Sequence, residues 1–311
     1  MRVLQFSAYG GPEVLHIAER LTPEPGPTDV LVRVHAATVG AGDCKTRAGL
    51  LQDHFQITFP KIPGRYGSGI IAALGADAAN RFKIGDAVVF ATLHTDSGSA
   101  AEHVSVAVGK IALKPTNLSH VETAAIIQGG VSAYSCIEAS HCARNEQILI
   151  HGAAGSIGSA CVELARHLRM HITATCRAID CDHVRSLGAD RVIAFDQTDF
   201  SESVRHQDVV IDLIGGDVHR RSYQTLRRGG RLIYLKAAPI DDRGSLFGVH
   251  VHNAVVGNGG ALLDAVCRLA ERCVFVPRVG KVLPLEYGAM AHSMIEDRVI
   301  KRGRIVLRIP V

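Results

Sequence analysis

The 311-residue chain has no tryptophan, and aromatic residues make up only 5% of it. The net charge is +4, yet Lys and Arg form no basic block and do not interleave with aromatics. A nucleic-acid partner is therefore not implied. No apolar run approaches the roughly 20 residues of a membrane span, so no membrane association is expected. The opening Met1-Arg2-Val3-Leu4-Gln5-Phe6-Ser7 lacks the apolar stretch of a secretory signal. The eight cysteines include no C-x-x-C pair, and several fall in apolar or helical runs, where a free thiol behaves as a small hydrophobe. This usage predicts a reduced, cytoplasmic protein. The sixteen histidines are scattered and form no His/Cys cluster with metal-ligand spacing, so no metal centre is expected. Against these absences stand 47% hydrophobic and 21% charged residues, enough for a sizeable core in one large domain or two ordinary ones.

The most informative stretch is Ile148-Leu149-Ile150-His151-Gly152-Ala153-Ala154-Gly155-Ser156-Ile157-Gly158. A short apolar run ends in a glycine-rich turn, and a helical pattern follows through Cys161, Val162, Leu164, Ala165 and Leu168. Strand, tight turn and helix together aim unpaired backbone N–H groups and a positive helix end at one spot, which suits a diphosphate. The spacing Gly152-x-x-Gly155-x-x-Gly158 departs from G-x-G-x-x-G, with Ala153 at the position of that fingerprint's first glycine. Four more apolar runs follow, at Ile172–Thr175, Val192–Phe195, Val209–Asp212 and Arg231–Leu235, separated by helical patterns. The alternation predicts a doubly wound α/β unit with a parallel sheet covered on both faces. The glycine turn lies at the C-terminal end of its first strand, where such sheets bind ligands.

The first third reads differently. Short strands at Arg2–Phe6, Val14–Ala18, Val30–Ala36, Ser68–Leu74, Ala87–Phe90 and Ala101–Val106 are punctuated by Gly and Pro, the pattern of a compact, barrel-like β domain. Short strands resume after about Phe275 and end with Arg304–Arg308. The α/β unit is thus expected to interrupt one β-rich domain, with boundaries at 1–122, 123–274 and 275–311. A cleft between two such domains is a natural ligand site.

Several segments in order resemble the medium-chain dehydrogenase/reductase superfamily, specifically its zinc-free quinone oxidoreductase branch. Tyr9-Gly10-Gly11-Pro12-Glu13-Val14-Leu15 resembles YGGPEVL, and Pro25 to Val34 resembles P-x-P-G-x-x-x-VLVRV. Gly42 to Gly49 resembles NPxDxKxRxG, and Pro63-Gly64 through Gly69 and Val88 resembles PGxDxAGxVxxVG…GDxV. Leu187-Gly188-Ala189-Asp190 and Gly303 to Leu307 resemble LGAD and GKIVL. The resemblance implies a Rossmann-type sheet inserted in a GroES-like β domain. It implies NADPH as cofactor, with NADH less favoured, and hydride transfer to a quinone or an α,β-unsaturated carbonyl. It also implies a homodimer joined through the nucleotide-domain sheet. The zinc-bearing branch carries G-H-E where this chain has Gly64-Arg65-Tyr66, and its first Cys ligand falls near Gly40, so zinc is not expected.

The same resemblance distributes roles. Gly152, Gly155, Ser156, Ile157 and Gly158 form the diphosphate turn. Thr175-Cys176-Arg177 replaces the acidic residue that binds the ribose 2′-hydroxyl in NAD-preferring relatives. Arg177 either pairs with a 2′-phosphate or is an ordinary solvated charge. Asp180 stands where NADPH-using relatives often have Lys, and Phe195 where they have an adenine-side Tyr. Ser132, in Gly130-Val131-Ser132-Ala133-Tyr134, lies near the nicotinamide carboxamide or bonds back to its own helix. Asp212, before Gly215-Gly216, borders the cofactor. On the substrate side, Lys45 either stabilises a developing oxyanion or is a surface lysine. Asp43 pairs with Arg47 to hold the turn, and Tyr66 donates a hydrogen bond or a proton, or closes the cleft with an apolar ring. The family's Asn-Pro is Gly40-Ala41 here, which points to a wider pocket and keeps open a non-catalytic NADP(H)-binding protein on the same fold. The segment Asp241–Val251 is expected to form a mobile loop near the nicotinamide.

Overall fold

The computed structural model describes residues 1–235 and 240–310. It divides into two compact units, Met1–Gln128 with Asn258–Val311, and Gly129–Gly257.

In the first unit, β1 (Arg2–Gln5) and β2 (His16–Glu19) form an antiparallel pair. The main sheet is organised on β3 (Asp29–Val39), a strand of 11 residues. It pairs antiparallel with β4 (Tyr66–Leu74), which continues to β5 (Ala87–Ala91). The strand β6 (His103–Ala107) also pairs with β3, and β7 (Ile111–Leu113) pairs with β5. Most of β3 is buried on both faces, so after Asp29 its sequence reads as a near-continuous apolar run broken at Arg33, His35 and Thr38. Val3, Phe6, Val32, Val34, Ile71, Phe90, Ile111, Ile305 and Leu307 share one core. Burying each large side chain of this kind contributes about 1.5–3 kcal/mol. A short helix, α1 (Ala41–Arg47), follows β3 directly, and α2 (His120–Ser140) leads out of the unit.

The second unit is a six-stranded parallel sheet flanked by helices. Its strands are β8 (Gln147–Ile150), β9 (His171–Cys176), β10 (Arg191–Ala194), β11 (Gln207–Asp212), β12 (Leu226–Tyr234) and β13 (His250–Asn253), in the order β10-β9-β8-β11-β12-β13. The intervening helices are α3 (Ser156–His167), α4 (Cys181–Leu187), α5 (Phe200–Ser203), α6 (Gly216–Ser222) and α7 (Gly244–Phe247). Strand order reverses between β8 and β11, which makes the ends of these two strands the ligand-binding switch point of such a sheet. The segment Asp241–Val251 is not simply a loop: it contains α7 and enters β13, which pairs in parallel with β12. Part of the approach to it, 236–239, lies outside the described residues.

The chain then returns to the first unit through α8 (Gly260–Glu271), β14 (Val279–Pro284), α9 (Gly288–Glu296) and β15 (Arg304–Arg308). The last strand pairs antiparallel with β3, and β14 pairs in parallel with it. The return falls at Asn258, earlier than the expected 275. The reason is α8: its amphipathic pattern reads like one more sheet-covering helix, yet it packs against β7 of the first unit.

Candidate functional site

In the second unit the glycine turn closes β8 onto α3. Gly152 adopts φ +69°, a left-handed conformation that glycine takes without steric cost. The Gly155 N–H donates to the Gly152 carbonyl (3.0 Å), and the first helical bond runs from the Ser159 N–H to the Gly155 carbonyl (2.8 Å). The amides of Ser156, Ile157 and Gly158 therefore lie in the first turn of α3, ahead of any intrahelical acceptor. Gly158 is required by packing: a Cβ there would stand 2.2 Å from the Gly152 carbonyl oxygen and 2.7 Å from the Ala153 Cα. The turn is also tied to its neighbours, with the Ala153 N–H on the Thr175 carbonyl (3.0 Å) and the His151 N–H on the Ile211 carbonyl (2.9 Å). This is a rigid cradle of amides at the switch point, and a dinucleotide diphosphate fits it.

Two polar residues assigned to the cofactor are already occupied. His151 is buried between Thr175 Oγ1 (3.0 Å) and Ser222 Oγ (3.1 Å). The Ser222 hydroxyl donates to the Val218 carbonyl (2.7 Å), so it accepts from the imidazole Nε2–H. Burial pushes the His151 pKa down to about 4. The ring is neutral, its Nδ1 is bare, and the Thr175 hydroxyl donates to it. Asp212 is likewise saturated: its carboxylate accepts from the amides of Ile214 and Gly215 (both 2.9 Å) and bonds His219 Nδ1 (2.9 Å). His219 Nε2 continues to the Tyr223 hydroxyl (3.1 Å). Despite complete burial, these partners hold the Asp212 carboxyl below its usual range. Thr175 and Asp212 thus shape the switch point from behind. Arg177 is exposed just past β9, with no side-chain hydrogen bond or ion pair among the described residues, and Phe195 is exposed beside it, its amide on the Cys176 carbonyl (3.0 Å). Asp180 occupies the N-cap position of α4 without a side-chain capping bond. Ser132 is buried within α2.

In the first unit, α1 carries the substrate-side candidates. Asp43 is buried, and its Oδ2 accepts from the Gly40 N–H (2.9 Å), fixing the start of the helix. Burial raises its pKa, opposed by that bond and by Arg65 and Arg304 nearby. The expected Asp43–Arg47 pair does not form. Arg47 is buried and reaches Glu296 (2.5 Å) and the Gly10 carbonyl (3.0 Å) instead. It has turned toward α9 because Asp43 is spent on the helix start. Lys45 is exposed on the opposite face. Tyr66 is buried, with the Arg65 guanidinium 5.2 Å from its ring centroid. Burial raises its pKa, so the phenol remains a hydrogen-bond donor and a weak acid.

A polar pocket beside these residues has no counterpart in the sequence pattern. Asp43, Thr46, Lys61, Arg65 and His94 line a cavity of about 10 Å³, the size that admits one water molecule. The Thr46 hydroxyl donates to the Gly42 carbonyl (2.9 Å) and so accepts from His94 Nδ1 (3.0 Å). The ring stacks on Phe55 with centroids 5.0 Å apart. Burial, with Arg65 and Lys61 nearby, pushes the His94 pKa down to about 4, leaving a neutral ring with Nε2 as acceptor. Lys61 is buried with its ammonium on the Asp96 carbonyl, and burial lowers its pKa to about 8. The only hint was its place between two prolines, Pro60-Lys61-Ile62-Pro63. A lysine with a depressed folded-state pKa destabilises the fold below about pH 8 and ceases to do so as pH rises from 8 toward 10.5, because the unfolded chain holds the proton longer. Lys61→Met is therefore expected to raise stability at pH 7 by about 2 kcal/mol, and the gain should vanish near pH 10. Denaturant unfolding of both proteins across this range checks it.

The donor set does not fit zinc. Arg65 and Tyr66 hold the G-H-E position, and the Cys44 thiol faces the His292 carbonyl (3.8 Å) with burial pushing it up to about 12. His167 and His171 are four residues apart, but one ends α3 and the other begins β9. Among the described residues no three His, Cys, Asp or Glu side chains are grouped to hold a metal, and no helix is long and apolar enough to cross a membrane.

Comparison with known proteins agrees with this architecture. Residues 26–147 match the alcohol dehydrogenase GroES-like domain and residues 187–307 the zinc-binding dehydrogenase domain. A chloroplastic quinone-oxidoreductase homolog of Spinacia oleracea is 31% identical over 250 residues, covering 77% of this chain and 76% of the relative. A chloroplastic NADPH-dependent alkenal/one oxidoreductase of Arabidopsis thaliana is 29% identical over 251 residues, covering 76% and 63%. The Escherichia coli quinone oxidoreductase, solved in complex with NADPH, superposes with a TM-score of 0.86 at 23% identity over 99% of this chain and 100% of that one. The chain belongs to the medium-chain dehydrogenase/reductase superfamily, in its quinone oxidoreductase branch.

Proposed function

We propose that this protein is a zinc-independent, NADPH-dependent reductase of quinones or α,β-unsaturated carbonyls. One observation carries the reading: the Gly152–Gly158 cradle, with its first-turn amides, stands at the switch point of the parallel sheet. The names of relatives as quinone and alkenal/one oxidoreductases supply the acceptor class. The amides of Ser156, Ile157 and Gly158 hold the diphosphate, Arg177 pairs with the 2′-phosphate, Phe195 flanks the adenine, and Ser132 meets the carboxamide. Bound there, the reduced nicotinamide supplies hydride to the electron-poor carbon of the acceptor. The chain then has to stabilise negative charge on the acceptor oxygen. Lys45 does so as a mobile ammonium, and Tyr66 as a protonated phenol, without a Lewis acid. Asp43 acts at one remove, by fixing the helix that carries Lys45. A homodimer joined through the sheet belongs to the same reading, since β13 is an edge strand.

Consumption of NADPH with 9,10-phenanthrenequinone or an alkenal tests the activity directly. Tight NADPH binding with no turnover across such acceptors would favour the non-catalytic alternative. Arg177→Ala is expected to weaken NADPH binding about tenfold, the loss of one charge-assisted contact, while NADH binding stays within twofold. Calorimetry with both cofactors reads the difference, and equal effects on the two would remove Arg177 from the phosphate site.

A further inference from the structure

The C-terminal end of β9 holds a chemistry that hydride transfer does not use. Cys176 is the last residue of β9 and Cys181 the first of α4, and their sulfurs are 3.8 Å apart, with the Cys176 thiol donating to Cys181. The Cys181 thiol in turn lies 3.6 Å from the Arg177 carbonyl. Cys176 is buried, whereas Cys181 is partly exposed and lines an open groove with Ala178, Arg185 and Gln197. One sulfur is thus within reach of a small solute, and the other waits behind it. The pair Cys136 and Cys161 is different, because both of its members are fully buried. Cys44 and Cys267 are also buried, Cys142 is partly exposed and Cys273 is exposed.

We propose that Cys176 and Cys181 are a dithiol modification site that a hydroperoxide converts to a reversible disulfide. In the first step the Cys181 sulfur attacks the peroxide oxygen. The O–O bond breaks, Cys181 becomes a sulfenic acid, and one water leaves when hydrogen peroxide is the oxidant. In the second, the Cys176 sulfur attacks the Cys181 sulfur, the S–O bond breaks, and the departing hydroxide takes the Cys176 proton as a second water. Two thiols give up two electrons, and one peroxide becomes two waters. Cys181 is the sulfur that reacts first because it is the one open to solvent, while burial and the adjacent Cys181 hold the Cys176 thiol up to about 12. An added dithiol reverses the bond by exchange.

The bond also has a consequence for its surroundings. A disulfide is about 2.05 Å long, so the two sulfurs must close by nearly half of their present separation. The chain between them is a single tight turn, pinned by the Asp180 N–H on the Arg177 carbonyl and by the Ala178 N–H on Asp196 Oδ1 (both 2.9 Å). Closure draws on this turn and removes the Cys181 thiol from the Arg177 carbonyl. Oxidation is therefore coupled to the affinity for NADPH, a part of the inference that rests on the role proposed above for Arg177.

The test uses the full-length reduced protein treated with a few equivalents of hydrogen peroxide. Non-reducing peptide mapping is expected to show a link between Cys176 and Cys181, formed ahead of any other cysteine oxidation and reversed by dithiothreitol. Cys176→Ser should stop at a Cys181 sulfenic acid that dimedone traps, and Cys181→Ser should leave Cys176 reduced under the same conditions. Oxidised wild type is expected to bind NADPH about tenfold more weakly and NADH unchanged, with neither serine variant showing the shift. Sulfinic acid at Cys181 without a link, or a link to another cysteine, would overturn the dithiol site. A link that leaves NADPH affinity unchanged would overturn the coupling. Arg177→Ala then locates the fault, since an equally unchanged affinity there means that Arg177 does not touch the phosphate.

Discussion

Gly158→Ala is expected to weaken NADPH binding at least about a hundredfold and to cost about 2–3 kcal/mol of stability. The added methyl has no room. It would meet the Gly152 carbonyl oxygen at 2.2 Å and the Ala153 Cα at 2.7 Å, and both are backbone atoms. Neither can swing aside as a side chain does, so α3 must retreat from the turn and take its first-turn amides with it. Gly155→Ala is the companion measurement. At that position φ is −73°, open to any residue, and the nearest atom to a new Cβ is the Gly152 carbonyl oxygen at 3.3 Å. The fold should tolerate it within about 1 kcal/mol. Any loss of NADPH affinity in this variant, about tenfold if the diphosphate lies against that face, then reports on the ligand rather than on the helix. Calorimetry on both variants, with thermal melts alongside, separates the two effects. If Gly158→Ala binds NADPH within threefold of wild type, the cradle is not the dinucleotide site.

The turn was legible because its constraints are local. Glycine spacing, a preceding apolar run and a following helical period all sit within about twenty residues and admit few backbones. The five apolar runs of the parallel sheet were visible for the same reason. The sixth strand was not, because His250-Val251-His252-Asn253 is too polar to read as a strand and joins the sheet only as an edge beside β12. The return to the first unit was misplaced because periodicity reports which face of α8 is apolar and not which sheet covers it.

At the site the limit was different. Asp43, Thr175 and Asp212 were recognisable as polar groups in suggestive places, but the sequence does not say whose hydrogen bonds they have already made. The partner of Thr175 comes from the end of another strand, that of Asp212 from α6, and Asp43 turns back on its own helix start. Lys61 and His94 became visible only when a proline-flanked segment and the loop after β5 converged on α1. Such convergence depends on contacts between residues far apart in the chain, for which single-sequence patterns carry no signal.

The histidines make the strongest pH prediction: stability should fall steeply between pH 6.5 and 4, before most carboxylates titrate. His151 and His292 are each 1% exposed, and burial pushes their pKa values down to about 4 and about 3. The folded values lie below the unfolded value near 6.5, so as pH falls the unfolded chain takes up protons first. Stability is full above about 6.5 and is lost on the way down to the folded values. Each residue accounts for about 3 kcal/mol over that interval, and two of them approach the whole stability of an ordinary domain. His94 and His120, also pushed to about 4, act in the same direction. The carboxylates held low by their partners, Asp212 and Asp208 among them, give up their stabilisation only below about pH 4. The two windows are therefore separable. His151→Gln, which can still donate to Ser222 and accept from Thr175, should reduce the slope between pH 6.5 and 4 by about one proton. His151→Ala loses that slope too, but leaves the Thr175 hydroxyl without its acceptor and a cavity beside Phe200, whose ring centroid lies 4.5 Å from the imidazole. That variant should cost about 3–4 kcal/mol even at pH 7. Denaturant unfolding at half-unit pH steps measures both effects. A wild-type stability that stays level from pH 6.5 to 4.5 would mean that these imidazoles are charged inside the fold, and would undo the neutral-ring hydrogen-bond assignment on which the Thr175–His151–Ser222 chain depends.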